Sequence, residues 1–303
     1  MTTLTNPAPS WRHALLALAV VAVWGTNFVV IHIALDELPP LLFATLRFSF
    51  ALLPAVFFLK RPDAPWLHLA LYGVFIGAGQ FGLLYIAMHG HIAPGLASLV
   101  IQTQVFFTIG LSIWLNRERV RRFQWVALAL ATVGIGVIIW HTDSTTTPFG
   151  LALVLLAALS WAGGNLVSKA SGRVNMLAYV VWASMFSVPP LALLSFALEG
   201  WPAIRHALLD AHARTWAAVL WQSVGNTLFG YACWGWLLAR YPAATIAPAS
   251  LLVPVFGMAA SAWWLAEPVP PWKAAAGGLV MAGLALNVLW PRIARYVSIP
   301  SRA

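Results

Sequence analysis

Eight side chains set in otherwise apolar runs have the chemistry to hold a small polar molecule. They are the carboxamides Asn27, Gln80, Gln102, Gln104, Asn165 and Asn226, with Arg47 and Trp161 completing the set. A carboxamide presents a donor and an acceptor together, which suits a zwitterionic ligand such as an amino acid. A guanidinium fork matches a carboxylate in bidentate fashion, and an indole offers a stacking or gating wall. Enzymatic signatures are absent: there is no Gly-rich phosphate loop and no pairing of nucleophile with base. His89-Gly90-His91 lacks a nearby carboxylate or thiol and reads as a solvated turn, so neither metal nor cofactor is expected. The single cysteine, Cys233, excludes an intramolecular disulfide.

These groups must be positioned by helices in a bilayer. Of 303 residues, 61% are hydrophobic and 8% charged, against roughly 25% charged in a soluble domain. So few charges cannot cover a globular surface in water. A span needs about 20 apolar residues. Ten fit the chain: 12–35, 39–59, 66–88, 93–115, 122–140, 148–170, 175–197, 214–238, 243–265 and 271–290. Arg12 followed by the apolar run Ala14–Ala34 resembles a secretion signal, but with no small-residue cleavage site it reads as a retained first helix. Between the seventh and eighth spans, Trp201, Ile204, Leu208 and Ala211 fall at helical spacing, predicting a short helix lying on the interface.

Charge orients the spans. With the N-terminus in the cytoplasm, the inner segments hold Arg12, Lys60, Arg61, Arg117, Arg119, Arg121, Arg122, Lys169, Arg173, Arg240, Arg292, Arg295 and Arg302. The outer segments hold only Arg205, Arg214 and Lys273. Such asymmetry places both termini inside. It also accounts for the net charge of +9 as topological signal, not as a nucleic-acid footprint.

The chain repeats itself. At an offset of 149 residues, Phe107 meets Phe256, Ser112 meets Ser261, Trp114 meets Trp263, Glu118 meets Glu267, Ala127 meets Ala276 and Gly134 meets Gly283. Five spans per copy is an odd number, so the second copy enters the membrane upside down. This all-α polytopic fold therefore divides into two inverted five-helix repeats, residues 1–145 and 146–303, with a site expected between them near the midplane.

Several stretches resemble the EamA-type branch of the drug/metabolite transporter superfamily. They are Val23-Trp24-Gly25-Thr26-Asn27-Phe28-Val29-Val30, Leu46-Arg47-Phe48, Gly95-Leu96-Ala97-Ser98-Leu99, Gln102-Thr103-Gln104, Ser160-Trp161-Ala162-Gly163-Gly164-Asn165, Arg240-Tyr241-Pro242 and Pro248-Ala249-Ser250-Leu251-Leu252-Val253-Pro254-Val255. The resemblance covers nearly the whole chain and is nearest to bacterial inner-membrane exporters of cysteine, O-acetylserine and other amino acids. It implies a central cavity lined mainly by the first, third, fourth, sixth, eighth and ninth helices, a small-molecule cargo and the lipid bilayer as surroundings. Drug-like, nucleotide-sugar or lipid cargo on the same fold is the alternative. A first span without any acid counts against drug cations. An integral membrane enzyme or a sensor is disfavoured by missing catalytic clusters and soluble domains.

Two matters stay open at this level. Each amide serves either the cavity or a neighbouring helix as a hydrogen-bonding link. Gln102 and Gln104 point about 200° apart on an ideal helix, so they share a space only if the helix is broken there. Arg47, near mid-span with no acidic partner in view, either donates to neighbouring helices or binds a cargo carboxylate. The inverted repeat itself is tested by labelling Arg119→Cys and Val269→Cys in a Cys233→Ser background. Glu118 and Glu267 flank these sites, which should label from opposite faces; labelling of both from one face refutes the inversion.

Overall fold

The computed structural model describes residues 10–116, 121–143 and 145–297. Within them run eleven helices: α1 Trp11–Leu35, α2 Pro40–Phe58, α3 Trp66–Met88, α4 Pro94–Leu115, α5 Arg122–Trp140, α6 Pro148–Ala170, α7 Met176–Leu198, α8 Trp201–Asp210, α9 over 213–240, α10 over 243–264, and α11 Pro271–Val297. Prolines stand at the first turn of α2, α4 and α6, and Pro271 opens α11. A missing N–H costs nothing there. α2 is interrupted at Leu53 and Pro54 before a last turn. Nine of the helices are long and apolar enough to cross a bilayer. The eighth span, α9, is less apolar because Gln222, Ser223, Asn226 and Thr227 sit in its middle, and all four are buried in protein. The short α8 is the interfacial helix expected from the sequence: Ile204 and Ala207 face the protein while Trp201 and Leu209 are exposed.

Burial is inverted relative to a water-soluble protein. Trp140 is 88% exposed whereas Arg47 is 1% exposed. Only a lipid environment makes that arrangement favourable, since hydrocarbon accepts indole and rejects an exposed guanidinium. The helix ends gather into two faces. At one, His13 Nδ1 pairs with the Tyr241 hydroxyl at 2.6 Å and His68 Nδ1 with Ser171 Oγ at 3.0 Å. At the other, Glu37, Glu199 and Glu267 reach the starts of α9, α2 and α4. The ends near residues 13 and 241 are thus neighbours, as are those near 59–68 and 171–182, as alternating spans require. Glu118, Arg119 and Val120 lie outside the described residues.

The residues that matched across the repeat meet one another in space. A Cβ at Gly134 would lie 3.0 Å from the Ala276 carbonyl oxygen, and a Cβ at Gly283 would lie 2.6 Å from that of Ala127. Gly134 and Gly283 are equivalent positions in the two copies, as are Ala127 and Ala276. α5 and α11 therefore cross through a two-fold-related pair of glycine-on-alanine contacts, with Val280 Cγ2 also packed on Gly134, where the missing Cβ lets the helices approach closely.

The repeat also shows in where helices depart from α geometry. α3 is π-helical over Val74–Gly82 and α9 over Trp221–Phe229, nine residues in each case. α4 tightens to 3₁₀ over Ile101–Thr103 and α10 over Ala247–Leu252. Residues 250–252 stand 149 beyond 101–103. α1, α5 and α6 are regular throughout. The overpacking expected at the α5–α11 crossing is measurable. Gly283→Val should cost about 1–3 kcal/mol, read as a lowered thermal midpoint in detergent. Gly136→Ala, where a Cβ meets nothing within 4 Å, should leave that midpoint unchanged.

Candidate functional site

The distorted helices carry the polar interior. α9 runs antiparallel to α1, and its π segment turns Gln222, Ser223, Asn226 and Thr227 inward together. A regular helix, at 3.6 residues per turn, would spread these four over a wider arc. Gln222 Nε2 donates to Asn27 Oδ1 at 2.6 Å, and the Trp24 indole N–H donates to the Asn226 carbonyl at 3.1 Å. Trp24 and Asn27 share a face of α1, as their spacing predicts.

Arg47 is the centre of this network. Its Nη1 donates to the Tyr85 hydroxyl at 2.8 Å and its Nη2 to Thr227 Oγ1 at 3.2 Å. Tyr85 passes its own proton to Gln222 Oε1 at 3.3 Å, linking Arg47 to Asn27 through Gln222. The guanidinium carbon lies 3.6 Å from the Phe81 ring centroid, a cation–π contact strengthened by desolvation. Ser223 Oγ donates to the Arg47 carbonyl at 2.9 Å. Nε is enclosed without a partner. Among the described residues no carboxylate pairs with this charge. Its solvation is assembled from hydroxyls and an aromatic face on α2, α3 and α9, joining the first repeat to the second.

Gln104 and Asn165 form a second cluster. Asn165 Nδ2 donates to Gln104 Oε1 at 2.8 Å and to Thr108 Oγ1 at 3.4 Å, linking α6 to α4. The 3₁₀ turn does break α4 beside Gln102, yet Gln102 takes no part in this pair. Trp161 is half-buried, packed on the core; its neighbour Ser160 donates to the Phe75 carbonyl in the π segment of α3 at 2.8 Å.

Gln80, Gln102 and Asn226 are different. All three are buried, and none of their side-chain amides has a protein partner among the described residues. Their polar atoms are not sealed, however. The fully enclosed polar side-chain atoms lacking a partner are Arg47 Nε and Ser261 Oγ alone among the described residues. Three amides thus retain donors and acceptors that are neither bonded to protein nor fully enclosed. A cavity of about 560 Å³ lies elsewhere, at the face opposite the N-terminus, between Asp36, Pro40, Ile86, His89, Glu199 and His206. It reaches none of the amides. Its Glu199 carboxylate already accepts from Leu41 N, Leu42 N and Ser195 Oγ.

Sequence reasoning missed Tyr85, Thr108 and Thr227 and left Gln222 outside the set. The available signal was the need of Arg47 for partners. Polar tips on the third and eighth spans were the candidates to supply them.

The model of the EamA-like transporter family matches residues 11–140 and again 148–289. A probable amino-acid metabolite efflux pump of Salmonella typhimurium is 41% identical over 292 residues, spanning 94% of this chain and 98% of the relative. Its counterpart in Escherichia coli, likewise called a probable amino-acid metabolite efflux pump, is 38% identical over 298 residues, spanning 96% and 100%. A solved structure at 16% identity superposes with a TM-score of 0.62 over 96% of this chain and 100% of the other, a likeness of fold.

The Arg47 network yields a test. Arg47→Lys keeps the charge but cannot reach Tyr85 and Thr227 together in fork geometry. It should lose about 1–3 kcal/mol through the unpaired hydroxyls, seen as a lower unfolding midpoint in detergent. An unchanged midpoint would show that the fork holds nothing together.

Proposed function

Since the chain belongs to the EamA-like transporter family, we propose that it is a secondary exporter of amino-acid metabolites, working at the inner membrane with both termini in the cytoplasm. The export activity rests on end-to-end identity with two efflux pumps named for amino-acid metabolites. Cysteine and O-acetylserine are the specific cargo we put forward. The two repeats divide at residues 145 and 146.

The pathway runs between those repeats. Three unpartnered amides, Gln80, Gln102 and Asn226, are the observation that supports placing cargo there. Each offers a donor and an acceptor, and a buried amide left unbonded costs roughly 1–3 kcal/mol. Cargo that passes and satisfies them recovers that free energy. Asn27, Gln104 and Asn165 stand in the same reading as amides that release one another to bind cargo, and Trp161 as a wall of the path. Arg47 sets a positive potential behind the amides that draws the carboxylate end of a zwitterion. The described residues place no carboxylate near the middle of a span: Glu199 and Glu267 lie at helix ends. The usual proton carrier of a drug antiporter is thus missing from the centre, which favours downhill export.

Two measurements test this. Cells overproducing the protein should accumulate O-acetyl-L-serine outside, and Gln80→Leu, Gln102→Leu and Asn226→Leu should each cut that export about tenfold while folded protein persists; tenfold corresponds to about 1.4 kcal/mol, one lost hydrogen bond. Normal export by most of these variants would return the amides to a packing role. In proteoliposomes, flux of the same compound should be insensitive to an imposed pH gradient when its own charge is held fixed; uphill transport driven by that gradient would overturn the downhill reading.

A further inference from the structure

At the face opposite the N-terminus, three carboxylates each bind the start of a helix belonging to the other repeat. Glu37, just past α1, accepts from His212 N at 2.8 Å and from Thr215 Oγ1 at 2.7 Å, at the N-terminus of α9. Glu267, between α10 and α11, accepts from Gly95 N at 2.8 Å, at the N-terminus of α4. Glu199, just past α7, accepts from Leu41 N and Leu42 N at 2.6 and 3.0 Å, at the N-terminus of α2. A helix start leaves N–H groups unpaired and carries partial positive charge, so a carboxylate there is both cap and counter-charge. Thr215, then the His212 amide, hold the Glu37 carboxyl down at about 2, and it stays ionised at physiological pH.

Below these caps the helices are in backbone contact. A Cβ at Gly25 of α1 would lie 2.5 Å from the Val253 carbonyl oxygen of α10, and one at Gly257 would collide with the Ser98 side chain of α4. Every residue of α4 from Pro94 to Thr103 is buried. Over the next twelve residues, Phe106 and Ser112 alone are. α4 is thus enclosed over the half nearest the caps, while the cavity between Asp36, Glu37, Ile86 and Glu199 opens beside it at the same face. Glu267 is itself enclosed with Lys273, their side chains 8% and 6% exposed and Nζ to Oε1 2.9 Å. Gly95 admits this pair, since a Cβ there would stand 2.9 Å from Glu267 Oε2.

We propose that Glu37 and Glu267 are the gating residues of transport, holding the exit shut in this conformation and releasing α9 and α4 when it opens. The proposal rests on the exporter reading for the meaning of exit. Glu37 and Glu267 join the helices that carry the amides: Asn27 is on α1, Gln102 and Gln104 on α4, Gln222 and Asn226 on α9. Glu199 joins α2 to α7, neither of which carries an amide, and it is a fixed cap outside the path. Opening exposes both released carboxylates and helix starts to water, so no charge is stranded in hydrocarbon at any stage of the movement.

The test needs no cargo. Ser98→Cys in the full-length Cys233→Ser protein reports the seal, through its reaction with a membrane-impermeant maleimide applied to the face opposite the N-terminus. Glu37→Gln should raise the labelling rate roughly fivefold, the factor that loss of one helix cap represents. Removing Glu267 alone would leave Lys273 buried and unpaired, so the second variant is Glu267→Gln with Lys273→Gln, which should give a similar rise. Unchanged labelling in both variants, with normal thermal midpoints, overturns the proposal. A second arm, with Lys273→Gln again present, bridges Gly95→Cys to Glu267→Cys with a short bis-methanethiosulfonate. Export of O-acetyl-L-serine should stop on bridging and return with dithiothreitol. Full export while bridged also overturns it. Absence of export by the unbridged protein would instead count against the exporter reading and leave the labelling result to decide the gate.

Discussion

A single buried guanidinium sets conditions that the surrounding helices must meet. Arg47 carries a full charge at 1% exposure, and the described residues offer it no carboxylate. A charge in mid-span costs at least about 2.5–3.5 kcal/mol even on lenient insertion scales, so its solvation has to come from elsewhere. It comes from Tyr85 on α3, Thr227 on α9 and the Phe81 ring. Each of these constrains something else. Tyr85 must orient toward Gln222, and Gln222 toward Asn27. Thr227 reaches Arg47 because α9 is π-helical there, and Ser223 of the same segment holds the Arg47 backbone. Four helices from two repeats are thereby fixed in register by one cation with neutral partners. Neutral partners leave the charge uncompensated.

The second organising fact is that strain is duplicated. π segments fall on α3 and α9, and 3₁₀ segments on α4 and α10, in corresponding parts of the two repeats. Residues 250–252 stand 149 beyond 101–103 and the two π segments start 147 apart, so the distortions recur at close to the repeat offset. Inside a membrane, helix irregularity is tolerated where protein or water satisfies the freed backbone groups. The regular helices α5 and α11 lie together at a glycine crossing. Gln80, Gln102 and Asn226 lie in distorted segments, whereas Asn27 and Asn165 lie on the regular helices α1 and α6.

Much of this architecture was legible in the sequence, because hydrocarbon imposes simple rules. Span length, the clustering of Arg and Lys at one set of ends and the 149-residue matches each follow from a one-dimensional property of the chain. Even α9, too polar to stand out by hydropathy, was required by alternation of charge on either side of it. The site was legible in kind but not in pairing. Amides and an arginine in apolar spans announce a polar interior, yet Arg47 finds Tyr85 at a separation of 38 residues and Thr227 at 180. Nothing local encodes those distances. Helical-wheel reasoning correctly kept Gln102 apart from Gln104 and put Trp24 beside Asn27. It could not place Asn226 and Thr227, because a wheel built on 3.6 residues per turn fails within a π segment. That Glu37, Glu199 and Glu267 cross from one repeat to the other is a property of the folded interface.

The distribution of polar chemistry along the membrane normal follows from what a moving helix can leave behind. Hydrogen bonds that break during a cycle must be replaced at once, by water or by cargo. Ionised groups tolerate this only where water is at hand, which is at the helix ends, and there the carboxylate caps of α2, α4 and α9 are found. At mid-depth the groups facing accessible space are amides, whose unsatisfied state costs far less than that of a bare charge. The one mid-depth charge is held differently: two hydroxyls and a ring face bind it, and its exposure is close to nil. A carboxylate beside Arg47 would pair with it and quench its charge. With hydroxyls there instead, the charge stays uncompensated and the surrounding interior polar.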